Sequence, residues 1–197
     1  MESGQQIKAV GIPQNVVAFL NPDAQVDVEL VHVFDKMKAV KAFIFDVDGV
    51  LTNNELLVTE VGELLRTMHV RDGQAIKWAA EAGYPLCVIT GGRSEGAKKR
   101  LTALGIEEYY SNVKDKVVAF QSFMQRTGVK ATEVCYMGDD LPDLPVLRKV
   151  ALSSCPADAV PEVKAVCDYI SNLNGGAGCV RQIIESVMKL QGKWPKY

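Results

Sequence analysis

Two aspartates, Asp46 and Asp48, follow the apolar run Ala42–Phe45 and are separated by a single residue. A buried strand that ends in two carboxylates places charge where burial disfavours it, unless the charge is paired or bound to a cation. Gly49 lets the chain turn, so both carboxylates can face one site at the carboxyl end of the strand. One carboxylate could attack a phosphate while the other handles protons, with a hard cation between them. The alternative is that Asp and Gly act here only as turn formers.

Three later segments place polar groups at the ends of predicted elements. Thr90, followed by two glycines, offers a hydroxyl and main-chain amides to a phosphate oxygen. Lys116 lies near the start of a predicted helix, where it could neutralise a phosphate dianion, and Asp139, Asp140 and Asp143 follow another predicted strand. Carboxylates, waters and phosphate oxygens are the usual ligands of Mg²⁺. Each residue could be a cap or a solvated side chain, but their succession on consecutive strand ends favours a phosphate site.

Composition excludes several classes of protein. The 197 residues carry a net charge of −2 and are 48% hydrophobic, which is typical of a globular domain without a basic nucleic-acid footprint. The first residues lack the pattern of a signal peptide, and the apolar run Val16–Leu20 is too short to span a bilayer. The five cysteines contain no C-x-x-C pair, which favours reduced thiols. We therefore expect a cytoplasmic protein with neither nucleic acid nor membrane as a partner.

We expect the chain to divide into an N-terminal extension (1–40), a main domain (41–190) and a C-terminal tail (191–197). Within the domain, β-prone runs alternate with helical periodicity, which predicts a doubly wound, Rossmann-like parallel sheet with helices on both faces. The predicted strands are Ala42–Phe45, Pro85–Ile89, Tyr109–Ser111, Val134–Met137 and Val150–Leu152. Apolar spacing predicts helices over Lys114–Arg126 and from Val180 to Leu190.

One segment interrupts this alternation. Glu55–Thr59 and Leu64–Val70 are β-prone and are joined by a turn that contains Gly62, which predicts a hairpin flap over residues 55–70. Only 43 residues separate Asp46 from Thr90, and 25 separate Thr90 from Lys116, so there is no room for an inserted cap domain. Specificity must then come from the flap, the C-terminal tail or a neighbouring subunit.

The order Asp-x-Asp-Gly-Val, Thr-Gly, Lys and Gly-Asp-Asp resembles the haloacid dehalogenase-like phosphatases. A two-component receiver domain has its acidic pair first and its Thr and Lys last. Here Gly138-Asp139-Asp140 comes after Thr90 and Lys116, so the receiver alternative is excluded. The resemblance implies that Asp46 is the nucleophile and that Asp48 is the general acid and base. It implies that Thr90 and Lys116 stabilise charge on the phosphoryl oxygens, with Asp140 and Asp143 orienting water or Lys116. Mg²⁺ would be held by Asp46, the main-chain carbonyl of Asp48 and Asp139.

Four further segments resemble one capless family, the 3-deoxy-D-manno-octulosonate 8-phosphate phosphatases of lipopolysaccharide synthesis. These segments are Val70–Gly73, Gly138–Asp143, Gly175–Arg181 and Gln191–Lys193. The implied substrate-binding residues are Asp48, His69, Val70, Arg71, Asp72, Gly73, Lys77, Arg93, Arg100 and Lys116. A sugar acid phosphate carries a carboxylate and a phosphate, so a group of basic side chains is expected. The chain departs from the family at Ala75, usually Gly, and at Gly92, often Arg, for which Arg93 is the expected substitute.

Two other functions are compatible with these motifs. One is a sister phosphatase for nine-carbon sugar acid phosphates, which Val70–Gly73 disfavours. The other is a catalytically silent assembly domain, which the presence of Asp46, Asp48, Lys116 and Asp139 disfavours. The resemblance also implies a homotetramer, in which flaps pair between subunits and the tail enters a neighbour's site or stays disordered.

Overall fold

The computed structural model describes residues 28–196. Residues 1–27 of the predicted extension and residue 197 of the predicted tail lie outside the described part of the chain. Within that part, every helix is too short or too polar to cross a bilayer. The division of the chain at residues 40 and 190 stays a prediction.

The strands form one large sheet and one small hairpin. In chain order the strands are β1 (Ala42–Phe45), β2 (Leu57–Val58), β3 (Leu64–Leu65), β4 (Leu86–Ile89), β5 (Glu108–Tyr110), β6 (Val134–Met137), β7 (Leu152–Cys155) and β8 (Tyr169–Ile170). Six of them make a parallel sheet in the order β5-β4-β1-β6-β7-β8, and β2 pairs antiparallel with β3. This architecture confirms the predicted α/β class.

Strand β1 lies in the middle of the sheet and decides where the polar groups emerge. Its four side chains are all buried, as expected for a parallel strand covered on both faces. Phe45 is in register with Val88 of β4 and Met137 of β6. The residues that follow these three strands therefore emerge side by side at one edge of the sheet.

Helices cover both faces of the sheet, as the alternating pattern predicted. In chain order the helices are α1 (Val28–Ala39), α2 (Val70–Glu81), α3 (Glu95–Ala103), α4 (Lys116–Thr127), α5 (Leu144–Leu147), α6 (Pro161–Lys164) and α7 (Cys179–Leu190). The layer against Phe43 and Phe45 contains α1, α2, α3 and α7, and the layer against Ile44 contains α4, α5 and α6.

The fifth predicted strand, Val150–Leu152, was placed too early in the chain. Strand β7 begins at Leu152 and continues through Ser153 and Ser154, which are buried although they are polar. Ser154 donates to the Tyr136 carbonyl at 2.9 Å, and Ser153 donates to Asp168 at 2.9 Å. These bonds satisfy the hydroxyls inside the protein, so an apolar pattern could not mark the strand. The two-residue β8 was not predicted.

The predicted flap is present but its ladder is short. Each strand contributes two residues, and Gly62 has a φ of 83° and donates its N–H to the Thr59 carbonyl at 2.9 Å. Val70 begins α2 instead of ending the second strand, so His69 precedes a helix and is not in a strand. Between β1 and α4 the chain builds only the flap and the elements from α2 to β5. The protein is therefore capless, as predicted.

The described part of the C-terminal tail packs on its own chain. The Tyr84 hydroxyl donates to Gln191 Oε1 at 2.6 Å, and Gln191 Nε2 donates to the Val40 carbonyl at 2.8 Å. Lys193 Nζ lies 4.4 Å from the centre of the Tyr84 ring. Tyr84 precedes β4, so these contacts lie at the amino end of the sheet, opposite the end from which Asp46 emerges.

Candidate active site

The turn after β1 places Asp46 and opens space beside it. Asp46 Oδ1 accepts a hydrogen bond from the Val47 N–H at 2.7 Å, which orients the carboxylate at the start of the turn. Gly49 has a φ of 86°, and a Cβ atom built on it would lie 2.0 Å from Asp139 Oδ2. Glycine is therefore required here both for the backbone conformation and for the approach of Asp139.

Four charged side chains, which we call the site floor, meet below this turn: Asp46, Lys116, Asp139 and Asp143. Lys116 Nζ donates to Asp46 Oδ2 and to Asp143 Oδ1, both at 2.7 Å. Burial disfavours the charged form of Lys116, but Asp143 and Asp46 outweigh it and raise the Lys116 pKa. The lysine is thus a buried permanent cation between two carboxylates.

Asp143 is held in place by its own loop. Its Oδ2 accepts from the Asp139 N–H at 3.1 Å and from the Asp140 N–H at 3.3 Å, and its Oδ1 accepts from the Tyr136 hydroxyl as well as from Lys116. Both oxygens are therefore occupied inside the protein. Asp143 is therefore in contact with Lys116, and its role in orienting this lysine stays a prediction.

The floor has the donor set of a divalent-metal site. Carboxylate oxygens of Asp46, Asp139 and Asp143 lie within 4.8 Å of one another, and the buried Oδ1 of Asp139 has no hydrogen-bond partner among the described residues. Burial, followed by the charge of Asp143, raises the Asp46 pKa to about 7, and burial raises the Asp139 pKa to about 6. Within the described part of the chain, each oxygen of Asp143 accepts two hydrogen bonds, whereas each oxygen of Asp46 accepts one and Asp139 Oδ1 accepts none, so Asp46 and Asp139 keep more lone pairs for a hard cation.

Asp48 is paired with a residue that the sequence reasoning missed, Arg66. Arg66 Nε donates to Asp48 Oδ1 at 2.6 Å and Arg66 Nη2 donates to Asp48 Oδ2 at 3.0 Å. This bidentate bond to Asp48 raises the pKa of Arg66. Asn54, with a φ of 63°, was also missed, and it donates to Asp139 Oδ2 at 2.9 Å. The available signal for Arg66 was an arginine within the otherwise β-prone predicted strand Leu64–Val70.

Thr90 lies beside the same pair. It is buried after β4, and its Oγ1 accepts from the Gly92 N–H at 3.1 Å. A Cβ built on Gly92 would lie 2.9 Å from Asp48 Oδ2 and 3.5 Å from Thr90 Oγ1. The turn after β1 and the loop after β4 are therefore in contact, as their common edge of the sheet predicts.

The predicted substrate segment His69–Gly73 begins α2, and its members have different surroundings. Asp72 is buried and accepts from the Arg181 N–H in the first turn of α7 at 2.6 Å, so it joins two helices. Burial, partly offset by this hydrogen bond, raises the Asp72 pKa. His69 Nδ1 lies 3.9 Å from Asp72 Oδ2. Val70 is exposed, and so is Arg71.

The remaining predicted basic residues, Lys77, Arg93 and Arg100, are exposed. Arg100 Nη2 would be 3.1 Å from a Cβ on Gly73, so the absence of a side chain at Gly73 lets Arg100 lie across α2. Lys77 pairs with Glu81 at 3.9 Å, and the exposed Arg93 pairs with Glu95 at 3.6 Å. The cation that lies over Gly92 is Arg66, not Arg93, the residue expected to substitute there.

Comparison with curated sequences identifies similar enzymes. The chain is 35% identical to the 3-deoxy-D-manno-octulosonate 8-phosphate phosphatase KdsC of Salmonella typhi over 162 residues, which covers 82% of this chain and 86% of that protein. Identity to the protein of the same name from Escherichia coli K12 is 35% over 161 residues, with the same two coverages. A model of haloacid dehalogenase-like hydrolases matches residues 66–150.

Solved structures agree in fold over most of the chain. The 3-deoxy-D-manno-octulosonate 8-phosphate phosphatase of Yersinia pestis superposes with a TM-score of 0.80 at 32% identity, covering 82% of this chain and 88% of that one. The corresponding enzyme of Moraxella catarrhalis, in complex with a magnesium ion, a phosphate ion and a KDO molecule, gives 0.79 at 31% identity, covering 81% and 92%.

Proposed function

Because this chain belongs to the 3-deoxy-D-manno-octulosonate 8-phosphate phosphatase family of the haloacid dehalogenase-like hydrolases, we propose that it removes phosphate from that eight-carbon sugar acid during lipopolysaccharide precursor synthesis. The observation that carries the proposal is the site floor. Buried carboxylates at Asp46 and Asp139 lie beside a buried lysine, in an arrangement that serves anions and a divalent cation. A silent assembly domain would have no need to bury these charges.

In the proposed reaction, Asp46 attacks the phosphorus atom and the bond from phosphorus to the sugar oxygen breaks. Asp48 gives its proton to the departing sugar oxygen, so the first product leaves as a neutral hydroxyl. Asp48 then takes a proton from water, whose oxygen attacks the phosphorus of the Asp46 acyl phosphate. Inorganic phosphate leaves, and both aspartates return to their starting forms.

Lys116, Thr90 and the metal ligands would stabilise charge on the transferring group. Lys116 Nζ, already 2.7 Å from Asp46, neutralises phosphoryl oxygens as they approach the nucleophile, and Thr90 donates its hydroxyl to them. Asp46, Asp139 and the main-chain carbonyl of Asp48 would hold Mg²⁺, which would offset the negative charge of the carboxylates and the phosphate. The orphaned Oδ1 of Asp139 supports this ligand set.

The sugar acid carboxylate would be recognised by basic side chains around α2. Two groups of predicted residues would supply these side chains. The first lies at or in α2 and consists of His69–Gly73 and Lys77. The second consists of Arg93, in the loop after β4, and Arg100 of α3, which lies across Gly73. Arginine suits a carboxylate because its guanidinium can donate two parallel hydrogen bonds. The KDO-bound relative from Moraxella catarrhalis supports a substrate of this class.

The working unit in this proposal is a homotetramer in the cytoplasm. Six apolar side chains of the flap are more than two-fifths exposed in the single chain: Leu56, Leu57, Val58, Val61, Leu64 and Leu65. A two-residue ladder is not stable alone in water, so pairing of flaps between subunits would both bury these side chains and support the ladder. The five free cysteines agree with a reducing compartment.

Release of inorganic phosphate in the presence of Mg²⁺ tests the proposal. We expect the eight-carbon sugar acid phosphate to exceed a neutral hexose phosphate in kcat/KM by at least about tenfold, since a charge-assisted contact contributes roughly 1.5–3 kcal/mol. Asp46→Asn should lower the rate by at least about a thousandfold. Wild-type rates in Asp46→Asn, or no release from any sugar acid phosphate, would contradict the proposal, and a preference for a nine-carbon acid would support the sister enzyme.

A further inference from the structure

Arg66 joins the flap to Asp48 in the turn after β1. It follows β3 directly, and its Nη1 donates to the Leu64 carbonyl at 3.1 Å, which ties the guanidinium to its own strand. Its other two nitrogens bond both oxygens of Asp48. The Arg66 side chain is only 6% exposed, whereas that of Asp48 is 33% exposed. A guanidinium buried on an open hairpin, with both ends of its fork bonded, is a built contact and not a chance surface pair.

The loop after β4 is shaped to admit this pair. A Cβ on Gly92 would lie 2.9 Å from Asp48 Oδ2 and 3.4 Å from Arg66 Nη2, so any larger residue would push against the ion pair. The same loop carries Thr90, whose hydroxyl oxygen would be 3.5 Å from that Cβ. Asp48, Arg66 and Thr90 therefore surround one point above the backbone of Gly92.

The two aspartates of the motif are held from opposite directions. Asp46 is held from inside the domain by Lys116, and Asp48 is held from outside by Arg66. A general acid works only when its proton points at the leaving atom, and misplacement by about 1 Å can lower a rate about a hundredfold. The fork occupies one lone pair on each oxygen of Asp48, so it fixes the plane of the carboxyl group without filling every position at which a proton can bind.

From this geometry we propose that Arg66 is a positioning residue, which holds Asp48 over the phosphate loop so that Asp48 protonates the departing sugar oxygen. The inference rests on the phosphatase function proposed above. It makes flap placement a determinant of acid catalysis, because the residue that orients the acid belongs to the flap. It also assigns Gly92 a purpose, which is to leave room for the Asp48–Arg66 pair.

Leaving-group dependence tests the proposal, because a nitrophenolate leaves without a proton and a sugar alkoxide does not. We measure kcat/KM, which reports the steps through departure of the leaving group, for the sugar acid phosphate, a neutral hexose phosphate and p-nitrophenyl phosphate. In Arg66→Ala both sugar phosphates should fall by about a hundredfold and p-nitrophenyl phosphate by less than about threefold. Arg66→Lys, which keeps the charge but not the fork, should recover part of the loss.

Arg126→Ala is the matched control. Arg126 pairs with Glu108 at 2.9 Å, is 68% exposed and lies in the last turn of α4, so its removal deletes an Arg–carboxylate pair away from the site. It should leave all three values unchanged, and thermal unfolding should show that each variant is folded.

Each other pattern overturns the proposal. An equal loss on all three substrates would make Arg66 a structural residue, and a loss confined to the sugar acid would make it a ligand of the substrate carboxylate. A gain of activity would make the pair inhibitory. Failure of the wild-type protein to release phosphate from any substrate would instead reject the phosphatase function.

Discussion

In the site floor, charged groups are buried and bonded to one another, whereas in the flap, apolar groups are exposed to solvent. Asp143 is fully buried and Lys116 is 6% exposed, while Leu57 and Val61 of the flap are 68% and 83% exposed. Both regions are opposite to the usual arrangement, in which charges face water and apolar side chains face the core. Each region would be stabilised by a binding partner of a different kind.

The two regions differ in what would complete them. The floor is assembled within one chain by long-range contacts between Asp46, Lys116 and Asp143. Its carboxylates outnumber its single cation, so a bound metal ion would reduce the repulsion between them. The flap has a two-residue ladder and no apolar layer of its own in the described chain, so a second protein surface would relieve it. We therefore expect a cation at the floor, and we propose a second protein surface at the flap.

The largest effect is expected where the flap meets its partner. Val58→Glu places a charge on a flap side chain that is 62% exposed in the single chain and buried in the proposed tetramer. Burying an unpaired charge is strongly unfavourable, so the assembly should dissociate and kcat/KM should fall by at least about tenfold. Light scattering measures the mass.

Val118→Glu on α4, where the side chain is 57% exposed, is the matched control and should change neither mass nor activity. A Val58→Glu protein that keeps the mass of the wild type would show that the flap faces solvent in the assembly.

A smaller effect is expected from the charges of the floor. Raised pKa values of Asp46 (about 7) and Asp139 (about 6) mean that the folded, metal-free protein binds more protons than the unfolded chain. This contribution to stability is fully present below the unfolded pKa and is lost as the pH rises through about 6 to 7. In a chelator, the melting temperature should therefore fall by several degrees from about pH 5 to about pH 8.

Mg²⁺ should cancel that fall, because a cation stabilises the ionised carboxylates, and its effect should be larger at the higher pH. Circular dichroism melts with chelator or with Mg²⁺ measure both trends. Asp139→Asn, which keeps the shape but removes one titrating ligand, should weaken them. An equal stabilisation by Mg²⁺ across the whole pH range would separate the cation from these carboxylates.

The smallest effect on activity is expected from substitutions in the C-terminal tail, which test whether the tail covers the site together with the flap. Trp194 packs edge-on against Trp78 with ring centres 5.0 Å apart, and the Arg181 guanidinium lies 5.1 Å from the Trp194 ring. Trp194→Ala should lower the free energy of unfolding by about 1–2 kcal/mol and leave kcat/KM within about twofold.

Trp194→Phe retains a ring and should recover part of the stability lost in Trp194→Ala. Loss of kcat/KM with unchanged stability would be the reverse pattern, and would place the tail in a neighbour's site instead of on its own chain.

Local sequence patterns and the order of the motifs were enough to predict much of the site. Strand β1 was predicted with its observed bounds because four consecutive apolar residues followed by turn-forming Asp and Gly are typical of a strand buried between two layers. Asp46, Thr90 and Asp139 could be placed together because each lies within two residues of the end of a parallel strand. Strand β7 was misplaced because the burial of Ser153 depends on Asp168, which the strand pattern does not contain.

By itself, the sequence determined the fold class, the capless spacing and the polar groups at the edge of the sheet, since these depend on local periodicity and on the short distances between motifs. Only the tertiary structure decided that Arg66 holds Asp48, that Asp72 joins α2 to α7, and that Gln191 packs at the far end of the sheet. Those contacts join residues between 18 and 151 positions apart. Their partners are chosen by how the flap and the helices pack in three dimensions, and no residue's immediate neighbours along the chain carry that information.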